Sequence, residues 1–252
     1  MWYKIKKGTY TQGEGRWSCS RRSEPCTIGF VGVARGAWLW SVRVFDRRGK
    51  GQLSDLLCAL DWLTANSDVI EVANLSLGDV ESDDSNCGRT NHDPMHMAIC
   101  AAVNAGVTLV MSAGNVAGDD PCGYDEMITV SALTEFDGIA GVGGPSSPCV
   151  NGTGQVDGTF AAFSNFGADI DLMAPGVCVR ASAAAPNSTY DYFTGTSQAA
   201  PLVTGAAALY LAGHPGTSPA GVRAALIAAR DARAIPGDPD GIAEGIVHVS
   251  TF

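Results

Sequence analysis

The chain has 252 residues, which is enough for one large α/β domain with its own hydrophobic core. Its 46% hydrophobic content, without any apolar run of about 18 residues, predicts a soluble globular protein and excludes a membrane-spanning helix. The formal net charge of −10 argues against nucleic acid as a partner, because an acidic surface repels phosphate.

The beginning of the chain gives few structural signals. Residues 1–27 show no clear periodicity beyond a short alternation at residues 2–6, so they stay unassigned, and residues 28–252 are assigned to one domain. The first residues carry positive charges but no apolar segment, so no signal peptide is expected. The aromatic and β-branched run at 37–45 predicts a strand buried on both faces. Ser54 is the predicted N-cap of the next helix. That helix is indicated by leucines at helical spacing, namely Leu53, Leu56, Leu57, Leu60 and Leu63.

Strands and helices alternate through the rest of the chain. Further strands are predicted at residues 69–77, 107–111, 127–133 and 169–173. Helices are predicted from Asp93 to Gly106 and from Ser218 to about Arg230, since each starts with a polar cap followed by proline. This alternation predicts an α/β three-layer sandwich with a mostly parallel, doubly wound sheet. Sites in such sheets form at the carboxyl ends of the strands, where the chain has polar endings.

The most informative stretch is residues 193–211, in which a turn of small residues carrying Ser197 leads into an uncharged helix. Gly195 permits a tight turn, and Thr196 and Ser197 can satisfy the free N–H groups of the helix start. The helix is apolar on every side, so we expect it in the core with Ser197 at its exposed end. There the partial positive charge of the helix terminus favours a developing anion. The simpler interpretation is that Ser197 only caps the helix.

Asn115 is a second candidate for the same chemistry. Acyl transfer needs a nucleophile, a base, a group that orients the base, and donors for the oxyanion. Asn115 ends a predicted strand in the order Ser-Ala-Gly-Asn, and its side-chain amide can supply such a donor. An asparagine at this place can also be an ordinary turn residue.

Four separated segments carry the clearest signal of relationship. They are Gly32-Val33-Ala34, Asn74-Leu75-Ser76-Leu77-Gly78, Ser112-Ala113-Gly114-Asn115, and Ala174-Pro175-Gly176 together with residues 195–201. Together they resemble the subtilisin-like serine proteases, the S8 type of peptidase, and in particular the secreted bacterial branch related to proteinase K. The resemblance covers roughly residues 27–230. Gln198, Leu202 and Asp79 depart from the residues most frequent in the family.

The resemblance implies a serine endopeptidase domain that acts on peptide or protein substrates. It implies that Ser197 is the nucleophile and that the Asn115 amide and the Ser197 backbone form the oxyanion hole. It also implies a secreted monomer that requires no cofactor. No residue is assigned as a metal ligand. Structural calcium is common in the family, and Asp171 is the position to consider. The implied walls of a cleft that binds an extended peptide are Ser76, Leu77, Gly78, Ala113 and Gly114.

The family's catalytic Asp and His segments normally precede the part that matches residues 32–34, and neither segment is found in this sequence. A serine without a base is a weak nucleophile, so we expect this chain alone to be inactive. It would then be an N-terminally incomplete family member or a non-catalytic, peptide-binding pseudo-protease. The family strand that bears the Asp would lie between the strands predicted at 37–45 and 69–77, and residues 2–6 could occupy its place.

The four histidines admit other interpretations. Gly195-x-Ser197 could be the nucleophile elbow of a different serine hydrolase with His214 or His248 as its base, although that elbow requires glycine at position 199. His92 and His96 could ligate a metal, but a solvated helix face is the preferred interpretation.

The acidic loop and the cysteines give two more expectations. Asp79, Glu81, Asp83 and Asp84 are interpreted as a solvated loop. The eight cysteines form no Cys-x-x-Cys pair, which favours the disulfides of a secreted protein over a zinc site, with the pairing left open. Cys58 lies in an apolar helix pattern and is predicted to be a buried free thiol.

Overall fold

The computed structural model describes residues 2–4, 32–77, 83–119, 123–138, 144–149, 154–182, 190–250 and 252. The strands in these ranges are β1 (Trp2–Lys4), β2 (Trp38–Trp40), β3 (Val72–Leu75), β4 (Thr108–Ser112), β5 (Ile128–Thr134), β6 (Thr159–Phe160), β7 (Leu172–Pro175), β8 (Val179–Ser182) and β9 (Tyr190–Phe193). The helices are α1 (Leu53–Ala65), α2 (Pro94–Asn104), α3 (Thr196–Gly213) and α4 (Pro219–Ala229).

The main sheet has helices on both faces. Its strands follow the order β2-β1-β3-β4-β5-β6, and β7 pairs in parallel with β5. The pairs β3–β4 and β4–β5 are also parallel. Because side chains alternate along a strand, Val72 and Val110 pack with α3 and α4, whereas Ala73 and Leu109 pack with α1 and α2. This arrangement is the predicted three-layer α/β sandwich.

Residues near the start of the chain complete the sheet. Strand β1 lies between β2 and β3 and pairs antiparallel with both, with Trp2 opposite Trp40 on one side and Ala73 on the other. The expectation that residues 2–6 could occupy this place is therefore confirmed for residues 2–4. Strand β1 thereby supplies hydrogen-bond partners to β3, which would otherwise present an unpaired edge.

Helix α3 lies at the centre of the molecule, as its apolar sequence predicts. It packs against strands β3, β4, β5 and β7, and its buried residues include Ala199, Val203 and Leu211. Small residues at 205–208 let the helix approach the sheet closely, since Gly205 and the three alanines that follow are all buried. The candidate nucleophile therefore lies at the start of a helix most of whose residues are buried.

Several local predictions differ from the structure. The strand predicted at 37–45 is limited to Trp38–Trp40. Helix α1 is capped by Gln52 and not by Ser54, because Asp55 accepts a hydrogen bond from the Gln52 N–H at 3.1 Å and closes the first turn one residue earlier. Cys58 is a free thiol but is exposed on α1, so the prediction of burial is wrong. None of the described helices combines the length and the apolar composition needed to cross a bilayer.

The expected disulfides are confirmed in the described ranges. Cys87 pairs with Cys100 and ties the loop before α2 to that helix. Cys149 pairs with Cys178 and ties a loop to the residue before β8. Asp93 caps α2 by accepting hydrogen bonds from the backbone N–H groups of the first turn, as the sequence predicts. Cys19, Cys26 and Cys122 lie outside the described residues.

Candidate active site

Ser197 lies in the first turn of α3 and is half-buried. The N-cap is Gly195, whose φ of 151° lies in the region that favours glycine. A Cβ on Gly195 would also come within 3.0 Å of the Gln198 side chain. Ser197 is therefore not the N-cap residue, because the cap position belongs to Gly195 and Ser197 lies two residues further on.

Asn115 supplies the missing cap from another part of the chain. Its Oδ1 accepts hydrogen bonds from the Thr196 N–H at 2.8 Å and from the Thr196 hydroxyl at 3.2 Å. Because a backbone N–H can only donate, this contact requires that the Asn115 side-chain oxygen faces the start of α3. The Nδ2 of Asn115, which is a donor, then points away from the Thr196 N–H. Asn115 thus lies beside the residue that precedes Ser197, and the two candidates meet at one place.

The first turn of α3 leaves one backbone donor free. The Thr196 N–H donates to Asn115, and the Gln198 N–H donates to the Gly195 carbonyl at 3.0 Å. The Ser197 N–H between them has no hydrogen-bond partner among the described residues. An unpaired N–H at a helix N-terminus carries partial positive charge and can bind an anion. The Asn115 Nδ2 and the Ser197 N–H are therefore two donors at the same helix end.

A chain of hydrogen bonds ties the end of β3 to this turn. The Thr204 hydroxyl donates to Asn74 Oδ1 at 3.1 Å, and Asn74 Nδ2 donates to Ser76 Oγ at 2.9 Å. The Ser76 hydroxyl then donates to the Ser197 carbonyl at 2.8 Å. This network holds the backbone of Ser197 from the side of the sheet. Sequence reasoning missed Asn74 and Thr204 as positioning residues, although two polar residues within otherwise apolar segments were a signal that could have found them.

The loop around Asn115 is held from the other side by Asn165, a buried residue that sequence reasoning also missed. Asn165 Oδ1 accepts from the N–H groups of Val116 at 3.0 Å and Gly118 at 3.3 Å. Gly114 has a φ of 109°, and a Cβ there would lie 2.6 Å from Asn165 Nδ2. The sharp turn that presents Asn115 therefore depends on the missing side chain at Gly114.

The residues predicted to line a peptide-binding cleft differ in their burial and in their hydrogen-bond partners. Ser76 uses its hydroxyl to hold Ser197, and Leu77 is half-buried against the core on the α1 and α2 face. Ala113 is buried, with its N–H donated to the Val130 carbonyl. Gly114 donates its N–H to Thr196 Oγ1, and its carbonyl accepts from Asn165. Gly78 lies outside the described residues.

All four histidines of the chain lie within the described residues, and none hydrogen bonds with Ser197. His214 follows α3, so it is about 26 Å along the helix axis from Ser197. His248 interacts with Ser250 at 3.0 Å. These positions exclude His214 as a base for Ser197 and give the alternative serine hydrolase no support.

His96 and the acidic loop before it differ from their interpretation as solvated groups. His96 is 0% exposed, with Nε2 2.8 Å from Glu126 and Nδ1 3.4 Å from Asp84. Asp84 accepts hydrogen bonds at 2.7–3.3 Å from four backbone N–H groups, those of Asn86, Gly88, Thr90 and Asn91. Burial alone would raise the pKa of Asp84, but these donors outweigh it and hold the pKa well below its usual range. Asp79 and Glu81 lie outside the described residues.

The position considered for calcium is already occupied by protein groups. Asp171 Oδ1 accepts from Arg223 Nε at 2.7 Å and lies 2.6 Å from Arg223 Nη2. Its Oδ2 accepts from the Thr129 N–H at 3.0 Å. Burial raises the pKa of Asp171 even though Arg223 opposes that shift. Because both oxygens are engaged and a guanidinium cation is present, Asp171 does not fit a calcium site, and the expectation is wrong.

Comparison with protein families and curated proteins agrees with this geometry. The family model described as the subtilase family matches residues 16–243. An extracellular serine proteinase of Thermus sp. (strain Rt41A) is 36% identical over 196 residues, which are 78% of this chain and 41% of the relative. Subtilisin NAT of Bacillus subtilis subsp. natto is 34% identical over 197 residues, 78% of this chain and 45% of the relative. The chain thus spans less than half the length of these two relatives.

Solved structures show the same similarity. The crystal structure of a cold adapted subtilisin-like serine proteinase has a TM-score of 0.61 and 26% identity, and the match covers 86% of this chain and 67% of that one. A protease of Pseudoalteromonas arctica PAMC 21717 has a TM-score of 0.68 and 26% identity, with 87% of this chain and 63% of that one covered. These findings confirm the resemblance and the fold class that the sequence predicts.

Proposed function

Because the chain belongs to the subtilase family, whose model matches residues 16–243, we propose that it forms a serine endopeptidase domain with Ser197 as the nucleophile. The observation that carries this proposal is the 2.8 Å hydrogen bond from the Thr196 N–H to Asn115 Oδ1. This contact holds the Asn115 amide next to Ser197, where a family member needs an oxyanion donor.

The chemistry of acyl transfer supports the same assignment. When a hydroxyl attacks a peptide carbonyl, negative charge develops on the carbonyl oxygen, and donors fixed in advance stabilise that charge. The Asn115 Nδ2 and the unpaired Ser197 N–H are two such donors at the positive end of α3. The links through Asn74 and Ser76 keep the Ser197 backbone in place, so the donors need no rearrangement during the reaction.

We further propose that this chain alone has no practical peptidase activity. A serine hydroxyl is almost never ionised at neutral pH and needs a base within hydrogen-bond reach. The hydrogen bonds of His96, His214 and His248 go to other partners. His92 is exposed in the loop before α2. Loss of the base in subtilisin, which is itself the source of this figure, lowers kcat by about 10⁶.

A peptide hydrolysis assay with a sensitive fluorogenic substrate tests both parts of the proposal. We expect the wild-type chain and its Ser197→Ala variant to hydrolyse the peptide at the same rate, because the hydroxyl has no base. Turnover that Ser197→Ala abolishes would contradict the proposed inactivity while supporting Ser197 as the nucleophile. A fluorophosphonate probe that labels the wild type slowly but does not label Ser197→Ala would support the assignment of Ser197 independently of turnover.

A peptide-binding pseudo-protease is the second candidate function. This candidate is favoured because Asn115 lies beside Ser197 while no histidine hydrogen bonds with Ser197. Fluorescence anisotropy with a labelled, protease-resistant peptide separates the two candidates. Saturable binding without turnover supports the pseudo-protease. The absence of binding would contradict it and would indicate a domain that neither binds nor hydrolyses peptides.

The remaining proposals concern the domain, its partners and its location. We assign residues 28–252 to the peptidase domain, and peptides or proteins are its proposed substrates. A monomer without a required cofactor is the simplest assembly consistent with this function. The relatives include an extracellular proteinase, and the two disulfides of the described ranges, Cys87–Cys100 and Cys149–Cys178, suit an extracellular location.

A further inference from the structure

Two sulfurs, an imidazole and a carboxylate lie together beside α2, outside the network around Ser197. In the structure the two sulfurs are joined as the disulfide Cys87–Cys100. A newly made chain carries both cysteines as thiols, so the same place also exists in a dithiol form. We propose that this dithiol form binds one Zn²⁺ through four ligands, namely Cys87, His96, Cys100 and Glu126. The proposal does not depend on the peptidase assignment.

The ligand atoms of the four residues already converge. One atom from each residue lies within 4.8 Å of every other. Glu126 reaches two of its neighbours, with Oε2 2.8 Å from His96 Nε2 and Oε1 3.6 Å from Cys87 Sγ. His96 and Cys100 are four residues apart on α2, so they lie on one face of the helix. A single ion can therefore contact all four side chains.

His96 is placed as a zinc-bound histidine would be. The residue is 0% exposed, and its ring stacks on Tyr124 with the centroids 4.1 Å apart. Its Nδ1 is buried without a hydrogen-bond partner and faces Asp84 Oδ1 at 3.4 Å. Zinc-bound histidines bind the metal through one ring nitrogen and direct the other N–H at a carboxylate or carbonyl. With the proton on Nδ1, the Nε2 lone pair faces the Glu126 carboxylate, and a cation between them satisfies both acceptors.

The segments that carry the ligands are held together by hydrogen bonds that do not need the disulfide. Asp84 accepts four backbone N–H groups of the loop that carries Cys87. Asp83 Oδ2 accepts from the Asp125 N–H at 2.8 Å and so joins this loop to the segment that carries Glu126. These bonds are present whether or not the sulfurs are oxidised. The dithiol form therefore keeps its ligands close together.

The surroundings of His96 favour a cation. Asp83, Asp84 and Glu126 each place a carboxylate oxygen 2.8–3.9 Å from a ring nitrogen of His96. In the part of the chain that the structure describes, no lysine or arginine pairs with these three carboxylates. Three carboxylates without a basic partner attract a divalent cation to the imidazole between them.

The ligand set favours zinc among the common divalent cations. Two thiolates and an imidazole are softer ligands than the oxygen atoms that Ca²⁺ and Mg²⁺ require. In a tetrahedral site with Zn–S bonds of about 2.3 Å, two sulfurs are about 3.8 Å apart. The Cα atoms of Cys87 and Cys100 are 5.8 Å apart, which accommodates that spacing when the sulfurs are not bonded. Four protein ligands close the site, so the zinc would replace the disulfide in holding the loop to α2.

The zinc form and the disulfide form exclude each other. Binding of Zn²⁺ to the dithiol releases the two thiol protons to solvent and changes no oxidation state. A disulfide oxidant takes two electrons from the thiolates, is itself reduced to two thiolates, and leaves the Cys87–Cys100 bond and a free zinc ion. In the laboratory, a phosphine reductant and one water convert the disulfide back to two thiols and give a phosphine oxide.

The test compares the full chain before and after reduction with a phosphine, without chelator and at about pH 7.5. Competition of Zn²⁺ against a colorimetric indicator should give a dissociation constant below about 1 µM for the reduced chain. The oxidised chain should bind at least about a hundredfold more weakly, because both sulfurs are bonded to each other. In the reduced chain, Cys87→Ser should weaken binding by a similar factor. Replacing both Cys149 and Cys178 by serine is the matched control and should leave the affinity unchanged.

Co²⁺ in place of Zn²⁺ gives a readout specific for the ligands. The reduced wild type should show the thiolate-to-Co²⁺ charge-transfer absorption, and Cys87→Ser should lose much of it. Glu126→Gln is a second variant in case Cys87→Ser fails to fold, because Glu126 is half-buried and keeps its shape. It should keep the thiolate absorption and weaken Zn²⁺ binding at least about tenfold. Free Zn²⁺ about a hundredfold above the dissociation constant should raise the Tm of the reduced wild type by roughly 5–10 °C.

Four outcomes would overturn the proposal. The absence of Zn²⁺ binding by the reduced wild type at about 10 µM would show that the four side chains do not form a site. Equal affinity in the wild type, Cys87→Ser and Glu126→Gln would place the ion on other side chains. A Co²⁺ complex without thiolate absorption would show that the cysteines are not ligands. Equal Zn²⁺ affinity before and after reduction would refute the exclusion of zinc by the disulfide.

Discussion

Asn74 gives the sharpest test of how the candidate site is held. Asn74 is 8% exposed, and the hydrogen bonds of its side chain include one from the Thr204 hydroxyl and one to the Ser76 hydroxyl. In Asn74→Ala both bonds are lost. Ser76 keeps its bond to the Ser197 carbonyl, and Thr204 can give its single hydroxyl proton wholly to the Ala200 carbonyl, which lies 2.9 Å away, so neither hydroxyl is left without a partner.

The expected cost of Asn74→Ala is therefore that of two buried hydrogen bonds, about 2 kcal/mol of the free energy of unfolding. For a chain of this size that corresponds to a decrease in Tm of roughly 4–8 °C. Urea unfolding followed by circular dichroism measures the free energy, and a thermal scan measures the Tm. Asn104→Ala, at the exposed end of α2, is the matched control and should change stability by less than about 0.5 kcal/mol. A loss in Asn74→Ala no larger than in this control would refute the network as a support of Ser197.

Two further predictions concern groups outside the site. The variant Arg223→Met removes the guanidinium that pairs with the buried Asp171, which should raise the pKa of Asp171 further. The folded state then binds a proton at Asp171 more tightly than the unfolded state does. The variant should therefore lose stability relative to the wild type as the pH rises from about 4 toward 7. The difference in the free energy of unfolding should reach about 2 kcal/mol, a value that allows for the partial exposure of Arg223. A difference that does not change with pH in urea unfolding would contradict this prediction. Replacing both Cys149 and Cys178 by serine should lower the free energy of unfolding by about 3 kcal/mol, because their sequence separation of 29 closes a sizeable loop. A loss below about 1 kcal/mol in a thermal scan would show that the loop is already restricted in the unfolded chain.

The sequence predicted features whose cause is local. The alternation of apolar strands and helices predicted the three-layer sandwich, and Asp93 and Ser218 were identified as caps because capping depends on residues close in the chain. The turn at Gly195 and the uncharged helix after it pointed to Ser197 for the same reason. Boundaries were less accurate, since the strand predicted at 37–45 pairs only at Trp38–Trp40, where a partner strand is available.

Polar residues whose partners are distant in sequence were misjudged. His96 was interpreted as solvated and is buried between Glu126 and Asp84, and Asp171 was considered for calcium and pairs with Arg223. Each of these partners lies on a different segment of the chain, so neither spacing nor periodicity could reveal the pairing. The cost of burying a charge is visible only when the groups around it are known.

The sequence by itself determined the type of fold and the two residues, Ser197 and Asn115, on which the proposed chemistry depends. Only the tertiary structure decided how they meet, because the bond from the Thr196 N–H to Asn115 joins residues 81 positions apart. It also decided that Asp238, Asp240 and Glu244 each bring one carboxylate oxygen within 4.8 Å of the others. Local patterns reflect backbone preferences over a few residues, whereas a site is formed by side chains that folding brings together from separate elements.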